Sequence, residues 1–128
     1  MATTSPRRAG FTLIELLVVL AIVAMLLSLT LPRYFHAIDS SKEKVLAENL
    51  RASRDALDKF YGDTGRYPDS IDELVEKRYL RSLPVDPETD STSTWIVVPP
   101  GEQFKGNVYD IRSGASGNTA DGRAFGDL

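Results

Sequence analysis

At 128 residues the chain has room for one small domain and a short appendage, and its net charge of −3 lacks the basic footprint that nucleic-acid binding usually leaves. It contains no cysteine, which excludes a disulfide, a thiolate metal site and a cysteine nucleophile. Stability must therefore come from packing, helped by an ion or by assembly.

The first element is apolar and membrane-length. Arg7 and Arg8 precede the run FTLIELLVVLAIVAMLLSLTL, Phe11 to Leu31, in which Glu15 is the only formal charge. As a helix these 21 residues rise about 31 Å, which matches a hydrocarbon core of roughly 30 Å. Basic residues mark the cytoplasmic flank, so the N-terminus is expected inside and the remainder outside. A secretory signal peptide is the plain alternative. The apolar stretch exceeds the usual h-region of about 7–15 residues, and no A-x-A-like cleavage site follows it. A simple signal-anchor helix also fits these features.

The string Arg8-Ala9-Gly10-Phe11-Thr12-Leu13-Ile14-Glu15-Leu16 resembles the class III signal of type IV pilins and type II secretion pseudopilins. The resemblance implies that residues 1–10 form a leader, cleaved by a prepilin peptidase between Gly10 and Phe11. It also implies N-methylation of the new terminus at Phe11 and retention of the helix 11–31 as transmembrane segment and filament core. Pro32 matches a proline common in these families and is a candidate kink, because it cannot bond the carbonyl of Ser28.

Glu15 then acquires a reason. An acid at the helix centre costs about 2.5–3.5 kcal/mol on insertion scales, and the 14 Leu, Ile, Val and Phe side chains at roughly −0.3 to −0.6 kcal/mol each outweigh it. Cleavage adds a cation, the free amine of Phe11. Glu15 lies one turn away on the same helix face, and in a bundle it can instead meet a neighbour's amine, where low dielectric strengthens the attraction. Glu15 and Phe11 are thus candidate register residues for assembly; the alternative is neutralisation within one chain.

Beyond Pro32, RYFHAIDSSKEKVLAENLRASRDALDKFY keeps helical spacing. Leu46, Leu50, Leu57 and Tyr61 mark one face, with Ala47, Ala56 and Phe60 beside them; Lys42, Lys44, Glu48, Arg51, Asp55 and Asp58 mark the other. GDTG, 62–65, ends the helix. In RYPDSIDELVEKRYL a short helix is expected, with Ser70 and Glu73 at capping-box spacing and an apolar face of Ile71, Leu74 and Val75. LPVDPETDSTST reads as loop. STWIVV, ending at Val98, and NVYDIR, 107–112, read as two strands of a small antiparallel sheet, and the tail SGASGNTADGRAFGDL as Gly-rich loop. The fold class is α+β: a type IV pilin-like arrangement, with a long N-terminal helix, its first half transmembrane, packed on a small antiparallel β-sheet. Residues 32–128 form the periplasmic domain in this reading.

YGDTGRYPDSIDELV, RYLRSLPVDP and NVYDIRSGASG also resemble segments of major pseudopilins, so the likeness covers most of residues 7–117. The DPWG-like turn common in that family reads Asp86-Pro87-Glu88-Thr89 here. The resemblance implies a calcium ion in the C-terminal loop. A main carboxylate of that site is replaced by Ser116, leaving Asp121 and Asp127 as donors; the alternative is a solvated Gly/Asp turn. No cofactor is otherwise required. Asp86, Glu88, Asp90 and Thr92 imitate an EF-hand loop, but Ser91 and Val97 stand where glycine and glutamate are needed. His36, the only histidine, reads as a surface or interfacial residue, and no nucleophile–base pair or phosphate loop points to an enzyme.

The reading is a major pseudopilin of a type II secretion system, polymerising into a periplasmic filament that helps export folded proteins. Its implied partners are further copies of itself, a prepilin peptidase, minor pseudopilins and the inner-membrane assembly platform. A type IV pilin for adhesion, motility or DNA uptake and a monomeric membrane-anchored binding module are the alternatives.

Overall fold

The structure, a computed structural model, describes residues 10–128. The leader residues 1–9, Arg7 and Arg8 among them, lie outside the described residues. The chain divides into two compact units, the first ending at Ala37 and the second running from Ile38 to Leu128. One helix, α1 (Leu13–Thr64), contributes to both.

In the first unit, α1 begins at a cap. Thr12 stands just before the helix, and its hydroxyl accepts the backbone N–H of Glu15 at 3.2 Å while its carbonyl accepts that of Leu16. A threonine cap of this kind satisfies one of the orphan donors of the first turn. The helix continues through Pro32 without interruption. Nearby, the hydroxyls of Ser28 and Thr30 donate to the carbonyls of Ala24 and Leu26, each at 2.8 Å. They therefore bond one turn back, rather than relieving the Ser28 carbonyl that Pro32 leaves without a donor.

The second unit is α+β. On its part of α1, Leu46, Leu50, Ser53, Leu57 and Phe60 are buried, spaced alternately four and three residues apart, which is the stripe that one helix face presents to a core. Each large apolar member contributes roughly 1.5–3 kcal/mol by leaving water. Ser53 is tolerated there because its hydroxyl donates to the carbonyl of Asn49 at 2.7 Å. Ala47, expected beside the stripe, is exposed instead, since one residue beyond Leu46 turns the helix about 100°. The helix outlasts Gly62 and stops after Thr64, where Gly65 takes a φ of 77° that only glycine adopts freely and its N–H donates to Tyr61.

The stripe packs with Leu74 of α2 (Ile71–Glu76), Trp95, and Val108 and Ile111 from the strand region. β1 (Ile96–Val98) and β2 (Asp110–Arg112) pair antiparallel, Val97 opposite Ile111. Both strands are shorter than their sequence patterns. Trp95 turns inward and donates its indole N–H to Pro84 O at 2.7 Å, while the N–H groups of Asn107 and Val108 both go to Pro68 O. Gly106 makes the latter crossing possible: a Cβ there would stand 2.1 Å from the carbonyl oxygen of Tyr67.

The expected capping box at α2 is not formed. Ser70 caps α2 in extended geometry but makes no side-chain bond. Its capping-box partner Glu73 is taken elsewhere, accepting the Asp69 N–H at 2.9 Å and pairing with Arg66. The Gly-rich tail is also more ordered than its composition implies. Asn118 bridges Ala124, and a 3-10 turn at Phe125–Asp127 inserts Phe125 into the core.

Candidate functional site

The N-terminal segment presents the features on which processing and assembly would act. Gly10, Phe11 and Thr12 precede the helix, and Phe11 is 85% exposed. From Leu13 to Leu31 every large apolar side chain is between 45% and 73% exposed. An apolar band of that length is unstable in water and has to be covered by lipid or by other helices.

Glu15 sits in the first turn of this band with its side chain exposed. Among the described residues no salt bridge reaches it. Its position has two local consequences. The positive end of the helix dipole favours an acid there, and Thr12 with Glu15 has the threonine-x-x-glutamate spacing of a capping box, of which the bond to the Thr12 hydroxyl is formed. Sequence reasoning looked for that spacing at Ser70 and passed over it here, although the same signal was present.

The C-terminal loop is held by different chemistry. Glu43 of α1 accepts the N–H of Ala120 at 2.7 Å. The Thr119 hydroxyl donates to Asp121 and accepts the N–H of Arg123, and the Thr119 N–H donates to Arg123 O at 2.7 Å. The Thr119 bond holds the Asp121 carboxyl below its ordinary value. Ser116, Asp121 and Asp127 are all exposed, and among the described residues no three His, Cys, Asp or Glu side chains gather in a way that fits a metal ion. Calcium takes 6–8 oxygens and draws its affinity from clustered carboxylates. The donor set here does not supply that cluster.

Asp86 was singled out as a false EF-hand ligand and as the start of the DPWG-like turn, yet it is fully buried. One carboxylate oxygen accepts the Glu88 N–H at 2.9 Å and the other the Ser113 hydroxyl at 2.5 Å, while its own N–H donates to Ser91 O. It organises the loop in the place of the DPWG-like turn. Arg54 serves the other edge. Its guanidinium donates to Asp110 at 2.8 Å and to Leu128 O at 2.7 Å, tying α1 to β2 and to the tail. His36 is exposed on α1.

Comparison with known proteins fits this geometry. The family model for the prokaryotic N-terminal methylation motif matches residues 5–31. The chain is 30% identical to the type II secretion system core protein G of Pseudomonas aeruginosa, an alignment covering 90% of this chain and 93% of that protein. It belongs to the core protein G family of major pseudopilins. The Escherichia coli core protein G is similar at 29% identity over 88% of this pseudopilin and 84% of its relative. The type IV major pilin PilA of Myxococcus xanthus is 36% identical, but over only 55% of this chain and 32% of that pilin. Likeness to the pilin stops part-way, whereas likeness to the core G proteins continues through the β region. No solved structure matches significantly.

Proposed function

We propose that this pseudopilin is the repeating subunit of a periplasmic filament of a type II secretion system and that its role is structural rather than enzymatic. It is cleaved after Gly10, methylated at Phe11 and held in the inner membrane through 11–31, with the N-terminus cytoplasmic and residues 32–128 periplasmic. The single observation carrying this reading is the uncovered apolar helix from Leu13 to Leu31, attached to a domain with its own core. Lipid covers such a band in the stored subunit, and the same band of neighbouring copies covers it in a filament.

The amine created at Phe11 and the carboxylate of Glu15 supply the axial register. Apolar rods slide past one another with little preference, and one charge pair in a low-dielectric bundle favours one offset. Prepilin peptidase, minor pseudopilins and the membrane assembly platform are the partners this role requires. Growth of the filament against exported folded proteins would draw its energy from a separate nucleotide-hydrolysing partner.

Two measurements test the proposal. Electron microscopy of cells that overproduce the chain with its assembly machinery is expected to reveal filaments containing it. Deletion is expected to abolish secretion and leave surface pili intact; the opposite pattern would assign the chain to a pilus.

A further inference from the structure

Directly after the apolar run stands a group of side chains that register and core packing leave unused. Arg33, Tyr34, Phe35 and His36 are all exposed. Tyr34 and Phe35 are each 60% exposed, with ring centroids 6.0 Å apart in an edge-on arrangement. Arg33 lines a recess of about 320 Å³ together with Leu29 and Thr30, the residues one turn behind it. That placement follows from helix geometry, because each side chain leans towards the N-terminus and covers the preceding turn.

We propose that Arg33, Tyr34 and Phe35 form an interfacial anchor that binds phospholipid headgroups, with a lipid phosphate in the recess between Arg33, Leu29 and Thr30, and so fixes the depth of the stored subunit. The proposal rests on the membrane-spanning reading of residues 11–31, and continuity with that span identifies the occupant. The run from Phe11 to Leu31 rises about 31 Å across a hydrocarbon core of roughly 30 Å, which brings Arg33 and the ring pair to headgroup level. The chemistry agrees. A guanidinium matches phosphate with two parallel N–H···O bonds, and tyrosine with its apolar ring and polar tip is a residue of the membrane–water boundary. Among the described residues no salt bridge engages Arg33.

Withdrawal of a subunit into a filament breaks this phosphate contact, which makes the anchor a brake on extraction.

The absence of native cysteine allows the test on the full chain with single introduced cysteines. The protein is reconstituted in vesicles of phosphatidylethanolamine and phosphatidylglycerol, with Arg7 and Arg8 replaced by glutamine so that the leader contributes no guanidinium. Solid-state NMR then reads dipolar dephasing between labelled arginine guanidinium carbons and lipid phosphorus. Depth-sensitive probes sit at Val19 and Leu27.

The expected result is strong dephasing that Arg33→Gln removes, and a shift of the Leu27 probe by about one helical turn, roughly 5 Å, in Tyr34→Ser/Phe35→Ser. Dephasing unchanged by Arg33→Gln, with the Val19 probe still in hydrocarbon, overturns the anchor and leaves the membrane reading intact. A water-exposed Val19 probe overturns the membrane reading itself. Loss of filament yield in Arg33→Gln with unchanged dephasing assigns this face to a second copy and likewise overturns the lipid proposal.

Discussion

The Ser113 hydroxyl donates to Asp86 Oδ2 at 2.5 Å, and both residues are buried, 27 positions apart in sequence. This bond joins the loop before β1 to the segment after β2, and the same carboxylate holds the Glu88 N–H. Asp86→Ala strands a buried hydroxyl and a backbone donor at once, so it is expected to lower stability by about 3 kcal/mol. Ser113→Ala removes the donor to Asp86 and the acceptor of the Ala115 N–H and is expected to cost about 2 kcal/mol. Urea melts of the detergent-solubilised chain, followed by fluorescence of Trp95 at the end of the same loop, measure both. Equal small losses from the two variants would mean that Asp86 is spare.

The contact between Glu43 and Ala120 leads to a prediction about calcium. The C-terminal loop is closed by the Glu43 carboxylate and by bonds within Thr119–Arg123. We propose that this pseudopilin needs no calcium to order the loop. Chelator treatment and millimolar calcium are both expected to leave its melting temperature unchanged. Glu43→Ala is expected to speed hydrogen exchange at the Ala120 amide by roughly fivefold, equivalent to about 1 kcal/mol. A calcium-dependent rise in melting temperature would restore the metal site around Asp121 and Asp127.

Glu73 links pH to stability. Its carboxyl is held below its ordinary value near 4.5, first by the side-chain bond from Arg66 and then by the Asp69 N–H, against the opposing effect of burial. A depressed acid binds fewer protons folded than unfolded in the intervening range. Its contribution is therefore complete above the ordinary glutamate range and is lost as pH falls through the lower folded value. Glu73→Gln is expected to destabilise the domain at neutral pH, and the difference from wild type is expected to shrink steadily as pH falls below the ordinary glutamate range. Melts across that range check it; a gap that persists in acid would locate the effect in packing.

How much of this was legible follows from which interactions are local. The apolar helix, the amphipathic stripe of Leu46, Leu50, Leu57 and Phe60, and the order of the short elements are periodic patterns, and periodicity survives in one dimension. The segment from Gly10 to Glu15 stood out because it is contiguous, and the methylation-motif model matches residues 5–31. The burial of Asp86 did not, since it depends on Ser113, and nothing near Asp86 in sequence announces that partner. The tail is mostly loop, as its glycines suggest, but its anchoring was not readable, because Phe125 and the contacts of Arg54 and Glu43 fasten it from distant positions. β2 came out short because Asn107 and Val108 spend their backbone N–H groups on Pro68.

The geometry at the start of α1 separates the helix cap at Glu15 from its proposed register role. Thr12 holds the backbone N–H of Glu15, not its carboxylate. Replacing the side chain therefore leaves the cap in place, and Thr12→Ala is the change that removes it, at about 1 kcal/mol. Glu15→Gln keeps size and polarity, lowers the insertion cost and deletes only the charge. In a bundle where that charge neutralises the Phe11 amine of a neighbour, its loss leaves a buried cation without a partner, a penalty of roughly 3–5 kcal/mol. Both Glu15→Gln and Glu15→Val are expected to insert normally and to reduce filament yield on the order of tenfold or more, whereas Thr12→Ala is expected to assemble. Membrane fractionation with quantitative filament shearing distinguishes the cases. Normal yield from Glu15→Gln would show that hydrogen bonding suffices and that charge does not set the register.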